Sequence, residues 1–181
     1  MGTDKAALIH PDGRTLARRA YDLLAGAGCA AVFLSLREGQ EIPPGFSDLT
    51  TVRVVRDPAG TGQGPLAGMI AAMRSAPAAD WLVLACDLPR LDPATLTRLT
   101  TAKLPNEMFL CYRSEFDGLP EPLCAFYGGG VLPVLEQAVA AGGCCPRKIL
   151  IRGGCRLLEP VAKRALDNTN TPQEWQTAVQ S

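Results

Sequence analysis

The chain has 181 residues, 47% of them hydrophobic and 20% charged, enough for one full core and too few for two comfortable ones. Its 18 basic and 18 acidic side chains balance and are spread along the sequence, which argues against a nucleic-acid duplex or a membrane surface as partner. No apolar run approaches membrane-spanning length and no charged-then-apolar leader opens the chain, so a cytoplasmic protein with a small ligand or a protein partner is expected.

In chain order, residues 15–27 space Leu16, Ala20, Leu23 and Leu24 as one helical face, closed by Gly26 and Gly28, and residues 30–36 follow as a strand. Residues 52–55 read as a second strand before a long glycine-bearing loop. A helix over 64–76 leads to a strand over 81–86, and Asp92-Pro93 supplies an N-cap and first-turn pair for a helix over 94–103. Beyond Pro105, strands over 108–112 and 123–127 flank a turn, followed by a helix over 131–141, a short helix over 147–151 and a strand over 155–158. Thr171 and Glu174 then form a capping box for a final helix, with Pro172 in its first turn. Such an order predicts one three-layer α/β/α domain over 1–181, with a mostly parallel, Rossmann-like sheet and some antiparallel pairing in the second half.

Trp81-Leu82-Val83-Leu84-Ala85-Cys86 is apolar without alternation, as in a strand covered on both faces, and Asp87-Leu88-Pro89 ends it. Ligands of α/β proteins bind off the carboxyl ends of such strands, so Asp87 is either a turn residue satisfying nearby amides or a ligand for a hard cation. The seven cysteines show no C-x-x-C spacing, and several sit in apolar runs where a thiol acts as a small hydrophobe. His10 lies in a Pro-Asp-Gly turn and pairs with no thiol in the sequence, which disfavours a cysteine enzyme.

The loop before the 64–76 helix supports two readings. Gly62, Gly64 and Ala67 satisfy G-x-G-x-x-A, with Asp87 placed as a ribose-binding acid, but six residues separate Val55 from Gly62 where a dinucleotide fingerprint turns at once. Alternatively Gly64-Pro65-Leu66-Ala67-Gly68 is a unit in which Pro65 starts the helix and Gly68 lets a ligand or the sheet come close. Asp57 then faces the same mouth as Asp87, where a carboxylate can accept the paired N–H groups of a guanine.

Met1-Gly2-Thr3-Asp4-Lys5-Ala6, Gly64-Pro65-Leu66-Ala67-Gly68, Ala85-Cys86-Asp87-Leu88-Pro89 and Asn168-Thr169-Asn170-Thr171-Pro172, in that order, resemble the molybdenum cofactor guanylyltransferases of the MobA type. Ser35-Leu36-Arg37 and the segment from Glu121 to Tyr127 are also similar to family segments. The resemblance implies a sheet of the nucleotide-diphospho-sugar transferase type, GTP and Mg²⁺, and transfer of GMP to molybdopterin with release of pyrophosphate. It further implies Asp87 as the Mg²⁺ ligand, Lys5 on phosphate and Asp57 on guanine, with Gly64, Pro65 and Gly68 around the nucleotide. Asn168, Asn170 and Arg37 fall on the acceptor side. Implied protein partners are molybdoenzymes or other proteins of cofactor biosynthesis. A relative using CTP or another acceptor is the near alternative, disfavoured by the Gly-Pro-Leu-Ala-Gly and Asp-Leu-Pro segments.

Members of the family begin with a strand and a loop of the form L-x-G-G-x-S-x-R before the Met-Gly-x-Asp-Lys run, and this chain starts at that Met. The loop should cradle phosphate through backbone N–H groups. Losing three or four buried side chains with the strand costs on the order of 5 to 10 kcal/mol, comparable to the whole stability of a domain. The expectation is a chain truncated relative to the family, poorly stable and nearly inactive unless an upstream segment or a partner strand fills the gap. A non-catalytic member that keeps the fold and binds nucleotide or cofactor is the rival reading.

Overall fold

The computed structural model describes residues 4–47, 52–57, 64–169 and 172–180. After a single 3₁₀ turn, Lys5–Ala7, come α1 (Leu16–Gly26), β1 (Phe33–Arg37), β2 (Arg53–Asp57), α2 (Pro65–Met73), β3 (Trp81–Leu84) and α3 (Pro93–Ala102). The second half holds β4 (Phe109–Arg113), β5 (Pro120–Tyr127), α4 (Leu132–Ala140), α5 (Pro146–Arg152), β6 (Arg156–Leu158) and α6 (Pro172–Gln180). Thr171, one half of the expected capping box, and Gly62 of the fingerprint lie outside the described residues.

Local chemistry sets the helix starts. Thr15 accepts from the Arg18 N–H and Asp92 from the Thr95 N–H, each satisfying an amide that the first helical turn leaves open. Pro65, Pro93 and Pro146 stand at first-turn positions where no amide partner is needed. No helix among the described residues is long and apolar enough to cross a membrane.

β3, β5, β4 and β6 form one sheet in that order; β5 runs against β3 and β4, and β6 runs parallel to β4. Period-two alternation sends Phe109, Cys111, Ala125 and Tyr127 to one face, where α2, α4 and α5 pack through Met69, Leu135 and Leu150. Leu110, Tyr112, Cys124 and Phe126 face the other side against Leu96 and Leu99 of α3 and Leu23 of α1. Helices therefore cover both faces, as the three-layer expectation requires. The buried phenols are satisfied by carbonyls: Tyr112 Oη donates to Thr95 O at 2.6 Å and Tyr127 Oη to Pro122 O at 2.9 Å.

β1 and β2 pair in parallel as a separate two-stranded sheet, with Arg37 opposite Asp57. Among the described residues no ladder joins β1 to β3, and a cavity of about 1090 Å³ lies between them. α1 contributes Ala17, Ala20, Tyr21 and Leu24 to its wall, and α2 contributes Met69, Ala72 and Met73. At the strand starts, the rings of Phe33 and Trp81 meet at 5.2 Å. This slot corrects one expectation: the residues of β3 are only partly buried, because among the described residues β3 is paired with β5 alone.

Candidate functional site

Two segments distant in sequence meet at the mouth of the cavity. Asp4 opens the 3₁₀ turn by accepting from the Ala6 N–H at 3.1 Å, and Gln40 Nε2 donates to its second carboxylate oxygen at 2.7 Å. Gln40 also accepts from the Arg37 N–H, so the Lys5 turn is fastened to the end of β1. Lys5 Nζ then donates to Asp87 Oδ2 at 3.0 Å.

Asp87 stands three residues past the end of β3, beyond Ala85, whose N–H still donates to Leu123 O at 2.7 Å. Leu88 and Leu91 are buried and anchor the outgoing turn. Arg19 of α1 locks this arrangement: its guanidinium donates to Pro89 O at 2.9 Å and to Asp12 Oδ2 at 2.8 Å. It thus links the segment after Lys5 to the segment after Asp87. Asp12 also accepts from Arg14; burial opposes its charge, but the two guanidiniums prevail and hold its carboxyl well below the usual carboxylate range. Burial and the neighbouring Arg19 charge lower the His10 imidazole below its ordinary value, and its Nδ1 accepts from the Asp12 N–H, as a turn residue.

Asp57 is the last residue of β2 rather than part of the following loop, because the ladder with β1 continues to Arg37. Ser35 Oγ donates to Asp57 Oδ1 at 3.1 Å, and α2 comes down on this pair at Gly68. A Cβ at Gly68 would collide with Ser35 Oγ and lie 2.8 Å from Asp57 Oδ1, so the glycine is there for close approach of the sheet's own side chains. Gly64, at φ +55°, turns the chain into α2 in a conformation that favours glycine.

Lys5, Arg37, Asp57, Gly64, Pro65, Gly68 and Asp87 all line the one cavity. Asn168 is not on its wall, but the next residue, Thr169, donates its N–H to Asp87 O at 3.3 Å. Asn170 lies outside the described residues. A further wall residue, Gln40, escapes a reading by motif, and Ser35, which falls in a family-like segment, gains a role only through its contact with Asp57 across the fold. Beside the cleft, burial raises the Glu121 carboxyl above its ordinary value, with Arg147 at 3.5 Å opposing and the Asp87 charge adding. Burial and Asp87 also push the Cys86 thiol up to about 11.

No group of three or more His, Cys, Asp or Glu side chains converges among the described residues. A dedicated protein cage for a metal is therefore not built there. A single carboxylate at an open mouth fits the donor set of Mg²⁺, which takes one or two carboxylates and completes its shell with phosphate and water.

Helices on both faces of a mixed sheet, with an acid beyond the carboxyl end of β3 met by a lysine, define an α/β protein of the nucleotide-binding class. Residues 1–161 match the MobA-like NTP transferase domain, and the chain belongs to that family. It is 35% identical over 97% of its length to a molybdenum cofactor biosynthesis bifunctional protein from Synechocystis, of which it covers 49%. It is also 37% identical over 68% of its length to a molybdenum cofactor guanylyltransferase from Pseudomonas putida, covering 64% of that protein. The chain thus spans half to two thirds of the length of these relatives. A solved structure of molybdopterin-guanine dinucleotide biosynthesis protein A from Archaeoglobus fulgidus superposes with a TM-score of 0.69 at 23% identity, over 99% of this chain and 90% of that one, and shows the shared fold.

Proposed function

We propose that the chain is a nucleotidyltransferase that moves GMP from GTP to molybdopterin with release of pyrophosphate. One observation carries the reading: Lys5 and Asp87 meet at 3.0 Å on the wall of the cavity that also presents Asp57 beside the Gly64-Pro65 entry to α2. The relatives named as guanylyltransferases favour GTP over CTP as the nucleotide.

In this reading an acceptor phosphate oxygen forms a bond to the α-phosphorus of GTP as the bridge to the β-phosphate breaks, and pyrophosphate leaves. Such a transfer needs positioning and neutralisation of charge rather than a covalent protein intermediate. Lys5 places its ammonium against the departing pyrophosphate. Asp87 would hold Mg²⁺, which would supply further neutralisation of the phosphate charge. Asp57 accepts the paired N–H groups of guanine, with Ser35 fixing one of its oxygens. Arg37, Asn168 and Asn170 serve the acceptor side. The same reading expects a cytoplasmic protein whose protein partners are molybdoenzymes or other proteins of cofactor biosynthesis.

The open slot between β1 and β3 favours a second reading, a member that binds nucleotide without turning it over. Calorimetry with GTP, CTP and NAD in the presence of Mg²⁺ tests the nucleotide assignment common to both. Binding of GTP at least tenfold tighter than CTP, lost in Asp57→Ala, is expected; equal affinities or preference for NAD would refute it.

A further inference from the structure

Away from the cleft, Cys111 of β4 and Cys155, immediately before β6, bring their Sγ atoms to 3.0 Å. The sheet and the preceding helix put them there. Leu110 lies opposite Arg156 and Cys111 opposite Leu157, so Cys155, two residues before Leu157, points to the same face as Cys111. At the end of α5, the Gly153 N–H donates to Ile149 O at 2.9 Å and the Cys155 N–H to Leu150 O at 3.0 Å. The chain therefore passes directly from helix to sheet, with Cys155 held against β4.

The other thiols differ in setting. Cys86 and Cys124 are pushed up by burial to about 11 and about 12, so they remain protonated near neutral pH. Cys155 moves the other way, because its hydrogen bond with Cys111 favours the thiolate over the opposing effect of burial. Cys111 is fully buried, whereas Cys155 retains access to solvent, which separates an attacking sulfur from a resolving one. A gap of 3.0 Å is about 1 Å longer than a disulfide bond.

We propose that Cys111 and Cys155 are an oxidisable dithiol that closes to an internal disulfide, with glutathione disulfide as the oxidant. The Cys155 thiolate attacks one sulfur of glutathione disulfide, forming a mixed disulfide and releasing one glutathione. Cys111 then attacks the Cys155 sulfur, the protein disulfide forms, and the second glutathione leaves. The two protein thiols lose two electrons and two protons, and both appear in the two molecules of glutathione produced. The bond ties β6, which among the described residues is an edge strand paired with β4 alone, to the interior of the sheet.

The test needs no nucleotidyl transfer, so it stands or falls apart from the proposed activity. Native protein is treated with glutathione disulfide, denatured, and blocked with N-ethylmaleimide for intact mass and peptide mapping. Two of the seven thiols should escape blocking, the mass should fall by two hydrogens, and one proteolytic fragment should join Cys111 to Cys155. Cys155→Ser should abolish the link and leave Cys111 unmodified by glutathione. Cys111→Ala should trap glutathione on Cys155, since the resolving sulfur is gone; if that variant fails to fold, the wild-type peptide map decides alone. Blocking of all seven thiols after oxidation, or a link running through Cys144 or Cys145 instead, would overturn the proposal.

Discussion

Gly68 occupies a point where the helix and the side chains of two strands converge, and the contact has a measurable consequence. In Gly68→Ala the new methyl group meets Ser35 and Asp57, so α2 has to lift or both side chains have to turn into the cavity they line. Overpacking of this kind costs about 1 to 3 kcal/mol, which urea denaturation should register. Weaker GTP binding should accompany it, because the displaced Asp57 is the proposed guanine acceptor; trimming Ser35 to Gly in the same chain should restore part of both. Glu121 carries a pH signature. Its folded-state value is raised above 4.5, so the folded protein holds a proton more readily than the unfolded chain does. The penalty is absent below that value and complete once the pH passes the raised one. Glu121→Gln, which keeps an oxygen for the Leu123 N–H, should therefore raise the unfolding midpoint at pH 7 but not at pH 4. Lys5, Asp57 and Asp87 were legible as site candidates from motif and strand position. Arg19 was not: a helical arginine says nothing of the Pro89 carbonyl seventy residues away, which only the tertiary fold brings to it.

At the scale of elements, periodicity and capping chemistry located the helices and strands, and the differences lie at their ends. Asp92-Pro93 was readable because an N-cap acid and a first-turn proline act locally. Asp92 Oδ1 accepts from the Thr95 N–H at 2.7 Å, and Asp92→Ala should cost about 1 kcal/mol in denaturant titration, with little change in nucleotide affinity. The 3₁₀ turn carrying Lys5 has too few residues to show a period, and it is held by Gln40 from a remote loop. β2 runs on to Asp57 and β5 begins at Pro120, because ladders with β1 and β4 extend them past the apolar residues that marked them in the sequence. Partner strands, rather than composition, set those boundaries.

For the whole molecule, the sheet falls into two parts with an apolar slot between their facing edges. Backbone groups on both edges and side chains from α1 and α2 match what an added strand would present. Asp4 and Lys5 also line the slot, so an N-terminal extension can reach it. Fusing an apolar strand ahead of Met1 should stabilise the protein by about 5 kcal/mol and slow thiol labelling of Cys29 and Cys86, both on the slot wall. Unchanged labelling and an unchanged midpoint would show that the slot does not take a strand. The layers and strand directions were legible from element order; the slot's shape was not, since it depends on how α1 and α2 settle around an unpaired edge. Nucleotidyl transfer is tested most directly by pyrophosphate release from GTP with molybdopterin and Mg²⁺, on the strand-extended chain and its Asp87→Ala variant. The proposed reaction predicts release dependent on molybdopterin that drops at least about a hundredfold when the carboxylate is removed. Release equal in the two proteins, or none from either despite tight GTP binding, would contradict it.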